Sequence, residues 1–233
     1  GLSMYKNGLV KNGRLLKAVL LIAALATSAI SAPIYAATVT RGPYLMMGTP
    51  DSMVLRWRTD VATNSRVQYG TAQGSLTNTL DNATSTTEHE LRLTGLVPGT
   101  KYYYSVGSTS GVLAGNDATT FFQTGPLTGT AQPTRIWVIG DAGTGTSVQT
   151  SVYNAYLAST GGVYTNLWLM LGDNAYNGGT DSAYTAKRFN VYGTMLKQST
   201  LWPTIGHHDA VSADSATQTG PYYSQFTMPK NAE

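Results

Sequence analysis

Three short apolar runs in the second half of this 233-residue chain each stop at a glycine, and each glycine is followed at once by a side chain able to hold a metal ion. Ile136-Trp137-Val138-Ile139 ends at Gly140-Asp141, Leu167 to Leu171 at Gly172-Asp173, and Leu201 to Ile205 at Gly206-His207-His208-Asp209. Apolar runs this short suit buried strands, and the stretches between them have room for helices. Val148, Val152, Ala155 and Tyr156 fall on one helical face, and a second helix is expected over about 182–198. Strand, helix, strand, helix, strand predicts parallel pairing with right-handed crossovers. Parallel strands end on one edge of their sheet, where open α/β folds bind ligands, so Asp141, Asp173 and the histidine pair should converge although they lie far apart in sequence. The glycines let the chain turn sharply with its backbone close to a bound group.

The first half reads differently. From Thr38 to about Thr124 the pattern is short strands with turn punctuation. Met53, Leu55 and Trp57 alternate with Val54, Arg56 and Arg58; His89, Leu91 and Leu93 share one face of another strand; Tyr-rich Lys101 to Val106 follows a Pro98-Gly99 turn; Thr119 to Gln123 closes the set. Roughly seven strands in this span predict an immunoglobulin-like sandwich. His89 stands alone on its strand and is read as a satisfied structural histidine, because a ligand needs partners. Gly125 to Thr134, with two prolines, reads as a linker.

Composition narrows the chemistry. The chain has no cysteine, which excludes disulfides and thiolate sites and leaves Asp, Asn, His and Tyr for any metal. The formal charge of +3 comes from the amino-terminus: Lys6, Lys11, Arg14 and Lys17 are four of the 15 basic residues, and the other 11 face 12 acids. The basic balance is therefore no argument for nucleic acid. Those four charges precede an apolar run, Ala18 to Leu25, then small residues ending at Ala36-Ala37. A charged start, a short apolar core and small residues make a cleavable export signal, too short for a spanning helix, and imply a secreted or periplasmic protein with no stable membrane anchor.

Two sets of strings carry a family resemblance. LTGLVPGTKYYYSV resembles a fibronectin type III domain, in which a tyrosine hydroxyl bonds back to the chain; Tyr102 or Tyr104 would do so here. GDAG, GDNAY and GHHD resemble the first three signature blocks of calcineurin-like metallophosphoesterases. Tyr176, three residues after the second aspartate, is similar to the purple acid phosphatase branch, as is PYLMMGTPDSMVLRWRTD ahead of it. The resemblance implies a multidomain chain: an export signal over 1–37, an all-β fibronectin III-like sandwich over 38–125, a linker over 126–134, and over 135–233 the first half of an α/β metallophosphoesterase domain with a mixed sheet.

It also implies a chemistry, the hydrolysis of a small phosphomonoester at a binuclear metal centre, ferric iron with a divalent iron, zinc or manganese ion. Asp173 would bridge the ions, Asp141 and Tyr176 would bind the first, and His207 would bind the second where the family has asparagine. His208 matches the histidine that assists the leaving oxygen, and Asp209 an orienting partner. The family supplies three further histidine ligands after this point, and all three histidines of this chain are already placed. The expectation is thus a carboxy-terminally truncated chain that is inactive alone. Two other readings stay open: a phosphodiesterase of the same superfamily, and a secreted binding protein that has lost catalysis and uses its sandwich.

Overall fold

Alternation builds the first half. In the computed structural model, which describes residues 36–229, the strands are β1 (Val39–Met46), β2 (Met53–Gly70), β3 (Asn78–Leu93), β4 (Lys101–Ser108), β5 (Gly111–Gly115) and β6 (Phe121–Gln123). These six stand where about seven were expected. The export signal expected over 1–37 lies, all but Ala36 and Ala37, outside the described residues. β2 and β3 form a long antiparallel hairpin; the first part of β2 also pairs with β1, and the part after a register shift pairs with β4. Splitting β2 between two partners lets the strands close over one core of Leu45, Met53, Leu55, Trp57, Leu91, Leu93, Tyr104 and Phe122. The Tyr102 hydroxyl accepts a hydrogen bond from the Val97 amide at 3.0 Å, the tyrosine-to-backbone bond expected after the Pro98-Gly99 turn.

His89 is fully buried, stacked on Trp57 with ring centroids 4.7 Å apart, and its ring nitrogens lie 2.9 Å from Thr59 Oγ1 and 2.8 Å from Ser65 Oγ. Burial pushes its pKa down to about 4 from the ordinary 6.5. The folded chain keeps this ring neutral where an unfolded chain takes up a proton, so its contribution is complete above pH about 6.5 and falls as pH drops from there towards about 4. A loss on the order of 3 kcal/mol is expected across that window. Thermal midpoints measured from pH 7 to 4 should fall more steeply for the wild type than for His89→Gln; parallel curves would assign the slope to other groups.

The second half runs β7 (Ile136–Ile139), α1 (Ser147–Thr160), β8 (Leu167–Leu171), α2 (Asp181–Tyr184), a π-helical turn (Thr185–Phe189), α3 (Gly193–Gln198), β9 (Thr200–Thr204), α4 (His207–Ala210) and α5 (Pro221–Gln225). The three strands pair in parallel, with Trp137, Trp168 and Leu201 in register on one face. Trp137 and Trp168 stack at 5.1 Å and pack against Tyr153 and Tyr192, burying that face in aromatic contact. The segment 126–134 between the halves carries neither helix nor strand.

Two sequence expectations need correction here. The helix over 182–198 is broken into α2, the π-helical turn and α3. The wider turn brings consecutive residues Arg188 and Phe189 both inside, which a continuous α-helix would set about 100° apart. On α1, Val148, Val152 and Ala155 are exposed, and the buried positions are Gln149 and Tyr153. Gln149 turns inward because the interior offers it partners: its amide nitrogen donates to Lys187 O at 2.6 Å and Tyr192 Oη at 3.1 Å, and its oxygen accepts from Gly145 N at 2.6 Å.

The halves share one sheet, because β1 pairs in parallel with β9 through Met46 and Leu201. β1 and β2 are buried on both faces: Tyr44, Met46 and Val54 join the aromatic core of the second half. The arginines of that face are met by hydrogen bonds. Arg56 donates to Ser224 O at 2.6 Å, while Arg41 and Arg58 both reach the Asp181 carboxylate, at 3.0 and 2.6 Å. Residues 36–233 accordingly cluster as one unit.

Candidate metal centre

The ends of β7, β8 and β9 meet, and they meet through backbone. Asp141 N donates to Gly172 O at 3.1 Å, Gly143 N to Asp173 O at 3.2 Å, and Tyr176 N to Gly143 O at 2.9 Å. The glycines are needed for this approach rather than for contact with a ligand. A β-carbon on Gly143 would strike the carbonyl of Asn174, and one on Gly206 would strike Asp173 N and lie 2.5 Å from Asp173 Oδ1. Asp141 and Asp173 themselves take positive φ angles of 54° and 49°, conformations uncommon outside glycine that aspartate tolerates better than most. Such backbone clusters at functional sites.

Those angles aim both carboxylates at one point. The Tyr176 hydroxyl donates to Asp141 Oδ1 at 3.0 Å and lies 3.2 Å from Asp173 Oδ2. The other Asp173 oxygen accepts the His208 amide at 2.8 Å, and the His208 ring lies 4.3 Å from that of Tyr176. Asp173 is held below the usual carboxylate range, chiefly by that amide and further by the Tyr176 hydroxyl. Tyr176 is pushed well above the usual phenol value by burial and by the two carboxylates it touches. Asp141, Asp173, Tyr176 and His208 thus form one cluster. His207 is exposed, with its ring 5.0 Å from that of His208, and stands outside the hydrogen-bonded set.

Asp209 holds the cluster together. Its carboxylate is fully buried and accepts from Asn174 N, Asn174 Nδ2, Ala175 N, Gly206 N and the Tyr184 hydroxyl, at 2.7 to 3.2 Å. One side chain therefore ties the β8 loop to the β9 loop. Beside it, Arg188 is buried with Nη2 3.3 Å from Asn174 Oδ1, and its guanidinium lies 5.1 Å from the Tyr192 ring. Burial lowers the Arg188 pKa to about 10. Lys187 Nζ donates to the Tyr176 carbonyl. Lys187 and Arg188 were invisible in the sequence, since the π-helical turn that delivers them has no periodic signature, and so was Tyr184 at the end of the four-residue α2.

The donors fit a hard cation: two carboxylates and a phenol oxygen share one point, with imidazoles close by and no thiol in the chain. Among the described residues, no group of three or more His, Cys, Asp or Glu is arranged to hold an ion. No described helix is long and apolar enough to cross a membrane.

Comparison with known proteins decides the first half. Residues 41–124 match the family described as Purple acid Phosphatase, N-terminal domain. Over those residues the sandwich is similar to a purple acid phosphatase N-terminal domain. Among solved structures, PhoD aligns with 83% of this chain and 44% of its own at 14% identity, with a TM-score of 0.56. At that identity the likeness is one of fold, and the chain spans less than half of PhoD. The fn3 domain of human contactin 1 aligns over 46% of this chain and 96% of its own at 15% identity, with a TM-score of 0.27. The sensor domain of the anti-sigma factor RsgI4 in Pseudobacteroides cellulosolvens aligns over 40% and 99% at 14%, with a TM-score of 0.31. Among curated proteins none matches the chain.

Proposed function

We propose that this chain carries the first ligands of a binuclear metal centre that hydrolyses small phosphate monoesters, in an exported protein of the phosphoesterase class. The observation that carries the reading is the Tyr176 hydroxyl bonded to both Asp141 and Asp173 at the ends of parallel strands. The purple acid phosphatase-like sandwich supports it, as does the PhoD likeness, which covers more of the chain than the sandwich alone can supply.

Asp173 would be the carboxylate shared by the two ions, Asp141 and Tyr176 would hold the first, and His207 would hold the second. Ferric iron paired with divalent iron, zinc or manganese is the centre proposed. Such a pair supplies hydroxide at neutral pH and neutralises the phosphoryl oxygens. The chain's own residues prepare for this. The aspartates are held in place by the backbone bonds between loops, so their oxygens need no reorganisation when charge arrives. Tyr176 would have to release its proton to serve as a ligand, and burial and the two neighbouring carboxylates oppose that release. His208, beside Tyr176, is placed to donate a proton to the leaving oxygen.

Asp173→Asn tests the reading. It removes the shared carboxylate charge, so affinity for added iron, zinc or manganese should fall about 10-fold or more, read by equilibrium dialysis with elemental analysis. A wild-type chain that takes up no metal, or an Asp173→Asn variant that takes it up equally, would remove the reading.

A further inference from the structure

The rotation of α1 leaves an apolar groove against the candidate centre. Gln149 anchors the inner face through its three hydrogen bonds, and this turns Val148 and Val152 outward at 69% and 48% exposure. With Ile139, Thr144, Gln149 and Tyr192 they line a groove of about 180 Å³ whose lining includes Asp141. Asp141 is its only carboxylate, and that residue is bonded to Tyr176 in the candidate centre. The groove thus shares Asp141 with the candidate centre, and its other walls are aliphatic or neutral.

We propose that this groove is the subsite for a planar apolar alcohol moiety, a single aromatic ring, of the phosphate ester bound at Asp141 and Asp173. The inference rests on the phosphoester reading and names the substrate class for it. Size agrees: an apolar cavity of about 150 Å³ accommodates benzene. Chemistry agrees too, because a ligand with an anionic head and an apolar arm matches a groove that carries Asp141 of the candidate centre and whose other walls include Val148, Val152, Ile139 and Tyr192, beside Thr144 and Gln149.

The test is calorimetric titration of the zinc-supplemented chain with phenyl phosphate, methyl phosphate and phenol. The two esters carry the same head and differ in the arm. Phenyl phosphate should bind about 10-fold more tightly than methyl phosphate, the effect of burying most of one ring. In Val148→Gln/Val152→Gln, two exposed positions where glutamine keeps helix propensity and adds no charge, that advantage should shrink to about 3-fold or less. Methyl phosphate should bind this variant as it binds the wild type. Equal binding of both esters, unchanged in the variant, overturns the groove while leaving the phosphoester reading intact. Phenol binding without either ester, or no binding at all, overturns the reading and the subsite together. A dimer in sedimentation that the double variant dissolves would assign the groove to a second copy of the chain.

Discussion

Asp209→Ala should destabilise the protein by about 3–5 kcal/mol, the range seen when one partner of a buried charged network is removed. The carboxylate is inaccessible to water and accepts from three backbone amides, an asparagine amide and a tyrosine hydroxyl. Alanine leaves all of these donors in a dry interior without an acceptor, each a group that costs free energy when buried and unbonded. For a chain of this size the thermal midpoint should fall by about 10 °C or more. The damage should also reach metal uptake, because Asn174 follows Asp173 directly and Gly206 precedes the histidine pair. Tyr184→Phe removes a single donor from the same carboxylate and should cost about 1 kcal/mol, without touching the backbone bonds. An Asp209→Ala variant within about 1 kcal/mol of the wild type in denaturant titration would show that the loops hold each other without this side chain.

Gly206→Ala should be as damaging for a steric reason alone. The added carbon meets the Asp173 backbone nitrogen and lies 2.5 Å from Asp173 Oδ1, so the obstruction is main chain and a carboxylate oxygen held by the His208 amide. Separating the β8 and β9 loops would break the Gly206 bond to Asp209 and the His208 amide bond to Asp173 together. A loss of about 3 kcal/mol or more is expected, or failure to fold. Gly111→Ala is the control: a β-carbon there meets nothing within 4 Å, and no positive φ is required. It should shift stability by less than about 1 kcal/mol. If both variants melt with the wild type, the close approach of the two loops is not what holds the centre.

Much of the centre was legible because parallel strands turn a linear pattern into a place. Three apolar runs that stop at glycine announce three strand ends on one edge, and Asp141, Asp173 and His208 are found there. Tyr176 was legible by likeness of its string, and its hydroxyl sits between the two carboxylates. What could not be read is rotation. The apolar positions of α1 pointed to a core face at Val148 and Val152, yet a buried glutamine with three partners outweighed them and turned the helix. Helical periodicity counts apolar residues and cannot see that Lys187 O and Tyr192 Oη wait inside. The double burial of β1 and β2 was hidden for a related reason. Alternation identifies one core face, and nothing in Tyr44, Met46, Val54 and Arg56 says that the opposite face will also be covered.

That double burial sets an order on synthesis. Tyr44 bonds to Gln225 O across 181 positions of sequence, and the face it shares with Met46 and Val54 is covered only by elements that follow β6. While the chain emerges from the ribosome, every partner the sandwich needs for its inner core arrives by Gln123, but its outer face stays wet until β9 and α5 exist. Contacts of such long separation form late and slowly. Through that interval the nascent sandwich presents an apolar surface edged by Arg41, Arg56 and Arg58, of which Arg56 and Arg58 can pair with Glu90 and Glu88 of β3 before the carbonyls and the Asp181 carboxylate of the later elements arrive.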